Sequence, residues 1–144
     1  MEETKASFII RNVLEGVRYL HTKNIIHRDI KPDNILFRSD NIFEKNQIAL
    51  ADFGLATFND VPLYMFPRCG SPGYVAPEVY SFDASKEHYQ LKSDLYGVGV
   101  TLYVMLTGKF PYPGNKELCY ENKECIIDMN KIFSLNKVSS EGNE

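Results

Sequence analysis

Residues 27–34 read HRDIKPDN: a histidine, two basic residues, two acids and an amide within eight positions. They follow a segment of opposite character. From Ala6 onward, Ala6, Ile9, Ile10, Val13, Leu14, Val17 and Leu20 recur at the spacing of an amphipathic helix, with Glu3, Arg11, Asn12, Glu15 and Arg18 on other faces. The pattern predicts a helix over Glu3–Thr22, with Asn24 left-handed just past its end. So dense a polar run beside a core helix calls for a chemical reason.

Working outward, short β-rich pieces are expected at Ile25–Ile26, Ile35–Phe37 and Ile48–Ala51, with RSDNIFEKNQ joining the last two as a hairpin with a long loop. They are too short to make a sheet domain. Residues 53–77 hold three glycines and four prolines with little periodicity, which marks a functional loop more than an inert connection. Ser93-Asp94 then precedes LYGVGVTLYVMLTG, apolar on nearly every face and closed by Gly108: a buried central helix over about 93–107, with Asp94 placed to cap it. A short amphipathic helix is expected near 115–124, then an irregular apolar stretch and a polar tail. The fold class is mainly α with a few short β-strands, in one domain and without internal repeats.

Composition narrows the function. A hydrophobic share of 44% suits a globular domain with a real core. The 16 basic and 19 acidic residues leave a net charge of −3, which gives no general attraction to nucleic acid or to an anionic membrane. An anionic ligand must therefore be held locally. Cys69, Cys119 and Cys125 are odd in number and form no Cys-x-x-Cys pair, so neither a disulfide framework nor a zinc site is indicated. The start, MEETKASFII, is acidic where a secretory signal would be basic, and residues 96–106 fall short of the roughly 20 apolar residues a membrane span needs. A reducing, cytoplasmic setting is expected.

Asp29 and Asp52 each follow a short apolar strand. Were those two strands neighbours, both carboxylates would emerge at one edge, an arrangement suited to Mg²⁺ and a substrate phosphate. Asn34 can add an amide oxygen and Lys31 a point charge. An unrelated metal-dependent hydrolase could use the same pair of acids.

HRDIKPDN is similar to the protein-kinase catalytic loop, with Ile30 where leucine is usual; DFG at 52–54 resembles the metal-binding triplet, and APE at 76–78 the end of the activation segment. All three occur in the family's order, with GSPGYVAPE between. The chain is identified as a partial protein-kinase domain over residues 1–144, with catalytic loop 27–34 and activation segment 52–78. Hydrolase chemistry explains neither APE nor GSPGY.

The resemblance implies ATP and Mg²⁺ as cofactors and a protein substrate with a serine or threonine, the DIKP at 29–32 being typical of serine/threonine kinases. It implies that Asp29 accepts or orients the substrate hydroxyl proton, that Lys31 steadies the transferring phosphate, and that Asn34 and Asp52 hold the metal on ATP. Ser71, with Pro72 and Tyr74, would lie in the activation segment with its hydroxyl on Asp29 and Lys31. His27 would be structural, packed beneath Phe53, with Gly54 completing the triplet. Arg28 would neutralise an activation-loop phosphate, and Asp94 would hold the catalytic-loop backbone. Glu78 would pair with an arginine far downstream, beyond these residues. CGSPGYVAPEV at 69–79 and the central helix look most like the calcium/calmodulin-dependent group.

Two departures carry expectations. LYMFPR at 63–68 has no serine or threonine where a regulatory phosphosite usually lies, leaving Tyr64 as the nearby hydroxyl, so switching by serine/threonine phosphorylation there is not expected. No G-x-G-x-x-G loop, strand lysine or partner glutamate occurs, and SLNKVSSEGNE stops where the family would begin another core helix. The sequence thus reads as the C-terminal lobe of the kinase fold cut at both ends, weak in ATP binding and transfer by itself. The rival reading is a non-catalytic module that binds protein partners, a regulatory protein among them.

Overall fold

In the computed structural model, residues 1–44, 47–59, 69–80 and 91–111 are described. The loop at 63–68 with Tyr64, the helix expected near 115–124, Cys119, Cys125 and the polar tail lie outside them.

Helix α1 runs Glu3–Thr22. It forms where the apolar residues repeat, and Ala6, Ile9, Ile10, Val13 and Val17 are buried along one stripe. Full burial of a side chain such as Ile9 or Val13 contributes about 1.5–3 kcal/mol, so this stripe is the main reason α1 docks. Leu14, expected in the stripe, stays 41% exposed because its position falls at the margin of the apolar face. Asn24 ends the turn with φ 58°.

Helix α3 spans Lys92–Thr107 and packs against α1. The two helices enclose a core of Ile9, Ile10, Val13 and Val17 with Ile30, Ile35, Ile42 and Val98. Ile42 reaches this core from the long β-hairpin loop, and beside it Phe43 sets its ring 5.1 Å from that of Phe8 on α1. Gly108 closes α3 in the left-handed region, φ 70°, and its N–H donates to Val104 O at 2.8 Å. No helix among the described residues is long and apolar enough to cross a membrane.

Four short strands complete the frame: β1 at Ile25–Ile26, β2 at Ile35–Phe37, β3 at Ile48–Leu50 and β4 at Thr57–Phe58. They pair as two antiparallel ribbons, β1 with β4 and β2 with β3. The strands before Asp29 and Asp52 are thus not neighbours, while the hairpin expected of Ile35–Phe37 with Ile48–Ala51 is present. The strand leading to Asp52 pairs instead with the strand that follows Asn34, in the register Ile35 opposite Leu50. A 3₁₀ turn at Pro32–Asn34 links the rest of the HRDIKPDN octet to β2, with proline at its start where a missing N–H costs nothing. Helix α2, Pro77–Tyr80, begins within the APE triplet. A second apolar cluster, Ile26, Ala76 and Val79, joins this region to Tyr96 of α3.

Candidate active site

The octet is folded so that its side chains converge on Asp29. One carboxylate oxygen, Oδ1, accepts the Ser71 N–H at 2.9 Å. The other, Oδ2, accepts Lys31 Nζ at 2.9 Å and Asn34 Nδ2 at 3.1 Å, and the same Asn34 amide donates to the Asp29 backbone oxygen at 2.8 Å. Lys31 Nζ also donates to Ser71 Oγ at 2.6 Å. Burial pushes the Asp29 carboxyl up, but the hydrogen bonds from Lys31 and Ser71 and the Lys31 charge outweigh it and hold the carboxyl below its usual range. Asp29 is thus a fixed, ionised acceptor 6% exposed at the rim of the core.

His27 is fully buried. Its Nε2 donates to Ala51 O at 3.1 Å, which leaves Nδ1 as the acceptor for the Asp29 N–H at 3.4 Å. One imidazole therefore ties the residue before Asp52 to Asp29 itself. The Phe53 ring lies over it at 4.9 Å between centroids. Arg28 takes a left-handed backbone, φ 69°, and its Nε donates to Leu55 O at 2.5 Å.

Asn34 and Asp52 leave the open end of the β2–β3 ribbon, where Ala51 N–H donates to Asn34 O at 2.9 Å. Asp52 is exposed, with φ 58°, and its Oδ1 accepts the Gly54 N–H at 3.1 Å. Asp52 Oδ2 and Asn34 Oδ1 accept no hydrogen bond among the described residues, so one free oxygen from each is left at that end. An all-oxygen donor set fits a hard cation such as Mg²⁺. No group of three or more His, Cys, Asp or Glu side chains forms a closed cage among the described residues, so further ligands would come from phosphates and water.

Asp94 does not cap α3: Leu91 occupies the cap position without a side-chain bond. The fully buried Asp94 carboxylate turns instead to the octet, accepting the His27 N–H at 3.0 Å and the Arg28 N–H at 2.8 Å. Glu78 accepts the Ser93 hydroxyl at 3.0 Å. Tyr74 packs edge-on to Phe110, 5.3 Å between centroids, and burial followed by the charge of Asp33 raises its hydroxyl above the ordinary value. Pro72 is exposed.

Sequence reasoning missed His21, whose Nε2 lies 2.9 Å from Asp94 Oδ2. The only local signal was a histidine in the last turn of a helix, where it reads as a partner for the helix dipole.

Residues 1–144 match the protein kinase domain family. The chain belongs to that family. Several of the relatives it matches are serine/threonine-protein kinases by name. It is 42% identical over 126 residues to serine/threonine-protein kinase DCLK1 of Rattus norvegicus, covering 88% of this chain and 27% of that protein. It is 39% identical over 116 residues to the probable serine/threonine-protein kinase fhkE of Dictyostelium discoideum, covering 81% of this chain and 16% of that protein. Against the calcium/calmodulin-dependent protein kinase type 1 of Macrobrachium nipponense the identity is 41% over 110 residues, 76% of this chain and 30% of that protein. This kinase chain thus spans well under half the length of these relatives.

Proposed function

We propose that this chain forms the C-terminal-lobe part of a serine/threonine protein kinase domain, transferring the γ-phosphate of ATP to a protein hydroxyl. The observation that carries the reading is the convergence of Lys31, Asn34 and Ser71 on the Asp29 carboxylate. Asp29 is held ionised and aimed by three neighbours, so a substrate hydroxyl reaching it is oriented for in-line attack. Because its carboxyl lies below the usual range, it is a weak base, and it takes the proton late, after bonding to the phosphorus is under way. That order suits a loose transition state in which charge gathers on the phosphoryl oxygens. Lys31, 2.6 Å from Ser71 Oγ, can stabilise that charge without moving far. Asn34 and Asp52 would hold Mg²⁺, which would neutralise the ATP phosphates. Ser71 joins the activation segment to Asp29 and so couples substrate docking to the reacting atoms. The GSPGYVAPEV stretch favours the calcium/calmodulin-dependent group, to which one relative belongs by name.

The test is a chimaera in which the glycine-rich lobe of a related kinase precedes Met1. It is expected to phosphorylate serine/threonine peptides, and Asp29→Asn should lower kcat by about 10²–10⁴-fold with little change in Mg-ATP affinity. A folded chimaera that binds Mg-ATP and transfers nothing would overturn the reading in favour of a protein-binding module.

A further inference from the structure

The two side chains that would hold Mg²⁺ stand on strands of unequal security. Asn34 is buried, and Ile35, which opens β2, lies in the core. Asp52 is exposed, and β3, which leads to it, has Ile48, Ala49 and Leu50 all half-buried. Within the ribbon Ile35 stands opposite Leu50, Leu36 opposite Ala49 and Phe37 opposite Ile48. A two-stranded ribbon this short is marginal by itself. A tight turn would set its register, but residues 38–47 make too long a connection for that.

The connection supplies an anchor instead. Connecting loops ordinarily run over the surface, yet Ile42 is 5% exposed and enters the core shared by Ile9, Ile10, Val13 and Val98. Next to it Phe43, though 55% exposed, sets its ring 5.1 Å from that of Phe8 on α1. Glu44 ties this anchor to β3. One of its carboxylate oxygens accepts Asn41 Nδ2 at 2.8 Å, and the other accepts Gln47 Nε2 at 3.4 Å. Gln47 O in turn accepts the Arg38 N–H at 2.8 Å and closes the ribbon just before Ile48.

We propose that Ile42 is a positioning residue for Asn34 and Asp52, seated in the core to hold the register of β3 against β2. Successive strand residues rise about 3.3 Å, whereas Mg²⁺ holds its oxygens at about 2.1 Å in a rigid octahedron. A one-residue slip of β3 therefore carries Asp52 out of reach of an ion held by Asn34. The same slip turns Leu50 away from the core it packs against. Phe43 against Phe8 adds a second, shallower hold on the same stretch. The inference rests on the kinase reading for what the two side chains bind, but the register it asserts is measurable without metal or activity.

The experiment adds Mn²⁺ alone to the 144-residue chain and reads paramagnetic broadening by NMR at the Asn34 side-chain amide and the Asp52 N–H. Wild type is expected to lose both signals over one range of concentration. In Ile42→Ala that range should rise about tenfold at Asp52, the scale of losing the support behind a metal ligand, and fall out of step with Asn34. Ile42→Val, which still fills the core, should behave nearly as wild type. Phe43→Ser spares the core and should raise the range about threefold, so it decides the question even where Ile42→Ala does not fold. Nuclear Overhauser contacts between Ile35 and Leu50 should weaken in Ile42→Ala and Phe43→Ser, while those between Ile25 and Phe58 in the other ribbon persist. A role in core filling alone predicts a lower melting temperature with the Mn²⁺ response and the contact of Ile35 with Leu50 as in wild type. That result overturns the proposal. A wild type that loses neither signal, with the cross-strand contacts responding as expected, counts against the kinase reading of Asn34 and Asp52 and not against the Ile42 anchor.

Discussion

Asp29 has both carboxylate oxygens engaged before any substrate arrives, and this decides how it responds to acid. Burial raises its carboxyl, and Lys31 and Ser71 together bring it below the ordinary value. A carboxyl lowered on folding adds stability at pH values above its unfolded value, near 3.9, and loses it as pH falls through the lower folded value. The Asp29 contribution should therefore persist down to about pH 4 and disappear below it. In Lys31→Met the largest of the opposing hydrogen bonds and the lysine charge are gone, so the Asp29 midpoint should rise toward its unfolded value and the acid-sensitive contribution should shrink. Carboxyl carbon-13 titration of wild type and variant reads both midpoints. A midpoint in Lys31→Met at or below that of wild type would show that Lys31 does not hold Asp29 in its ionised form. The identities of these residues were legible in the sequence as soon as HRDIKPDN was read beside DFG. The link of Ser71 to Asp29 across 42 positions came only from the family resemblance, and that of His21 to Asp94 across 73 was missed, because no local pattern encodes such separations.

At the scale of elements, α1 and α3 were legible because each is long and carries its apolar residues in a repeating or continuous run. The strands at Ile25–Ile26, Ile35–Phe37 and Ile48–Leu50 were legible as short apolar pieces, and so was the hairpin that joins the last two. The partner of Ile25–Ile26 was not, because a two-residue apolar piece carries no signal of what it pairs with. Thr57–Phe58 was missed outright, since two residues have no alternation to detect. The HRDIKPDN octet lies against α3 at a glycine. A Cβ at Gly97 would stand 3.1 Å from Ile30 O and 3.4 Å from Ile30 Cβ, whereas one at Gly99 would meet nothing within 4 Å. The two glycines occupy the same helix, so alanine at each should stiffen the unfolded chain alike and differ only in contacts. Gly99→Ala is expected to stabilise the fold by about 0.5–1 kcal/mol. Gly97→Ala should destabilise it by about 1–3 kcal/mol, because α3 must move off the loop to make room. Thermal unfolding of the two variants checks this, and equal shifts of the same sign would show that α3 does not touch the loop closely at Gly97.

At the scale of the whole molecule, the parts that would grip a nucleotide are unevenly represented. Asn34, Asp52, Asp29 and Lys31 gather at one end of the β2–β3 ribbon, yet these 144 residues contain no glycine-rich loop and no strand lysine. Next to Asn34 the ribbon also leaves Leu36 52% and Phe37 46% exposed, and Phe53 beside Asp52 is 48% exposed. Apolar side chains gathered around a polar site are what a covering layer of protein or a planar ligand would bury. Metal-bound phosphates alone offer a few charge contacts in water, where screening keeps each one small. Titration calorimetry of Mg-ATP into the chain is therefore expected to give a Kd no tighter than about 1 mM, near −4 kcal/mol. In the chimaera that supplies a glycine-rich lobe, the same titration should tighten by at least about 100-fold, or ~2.7 kcal/mol. Leu36→Ser with Phe37→Ser should cut binding of a hydrophobic dye by the isolated chain and, in the chimaera, weaken Mg-ATP again. Micromolar affinity in the isolated chain would mean that these residues hold the nucleotide unaided, and the exposed face would then need some other occupant.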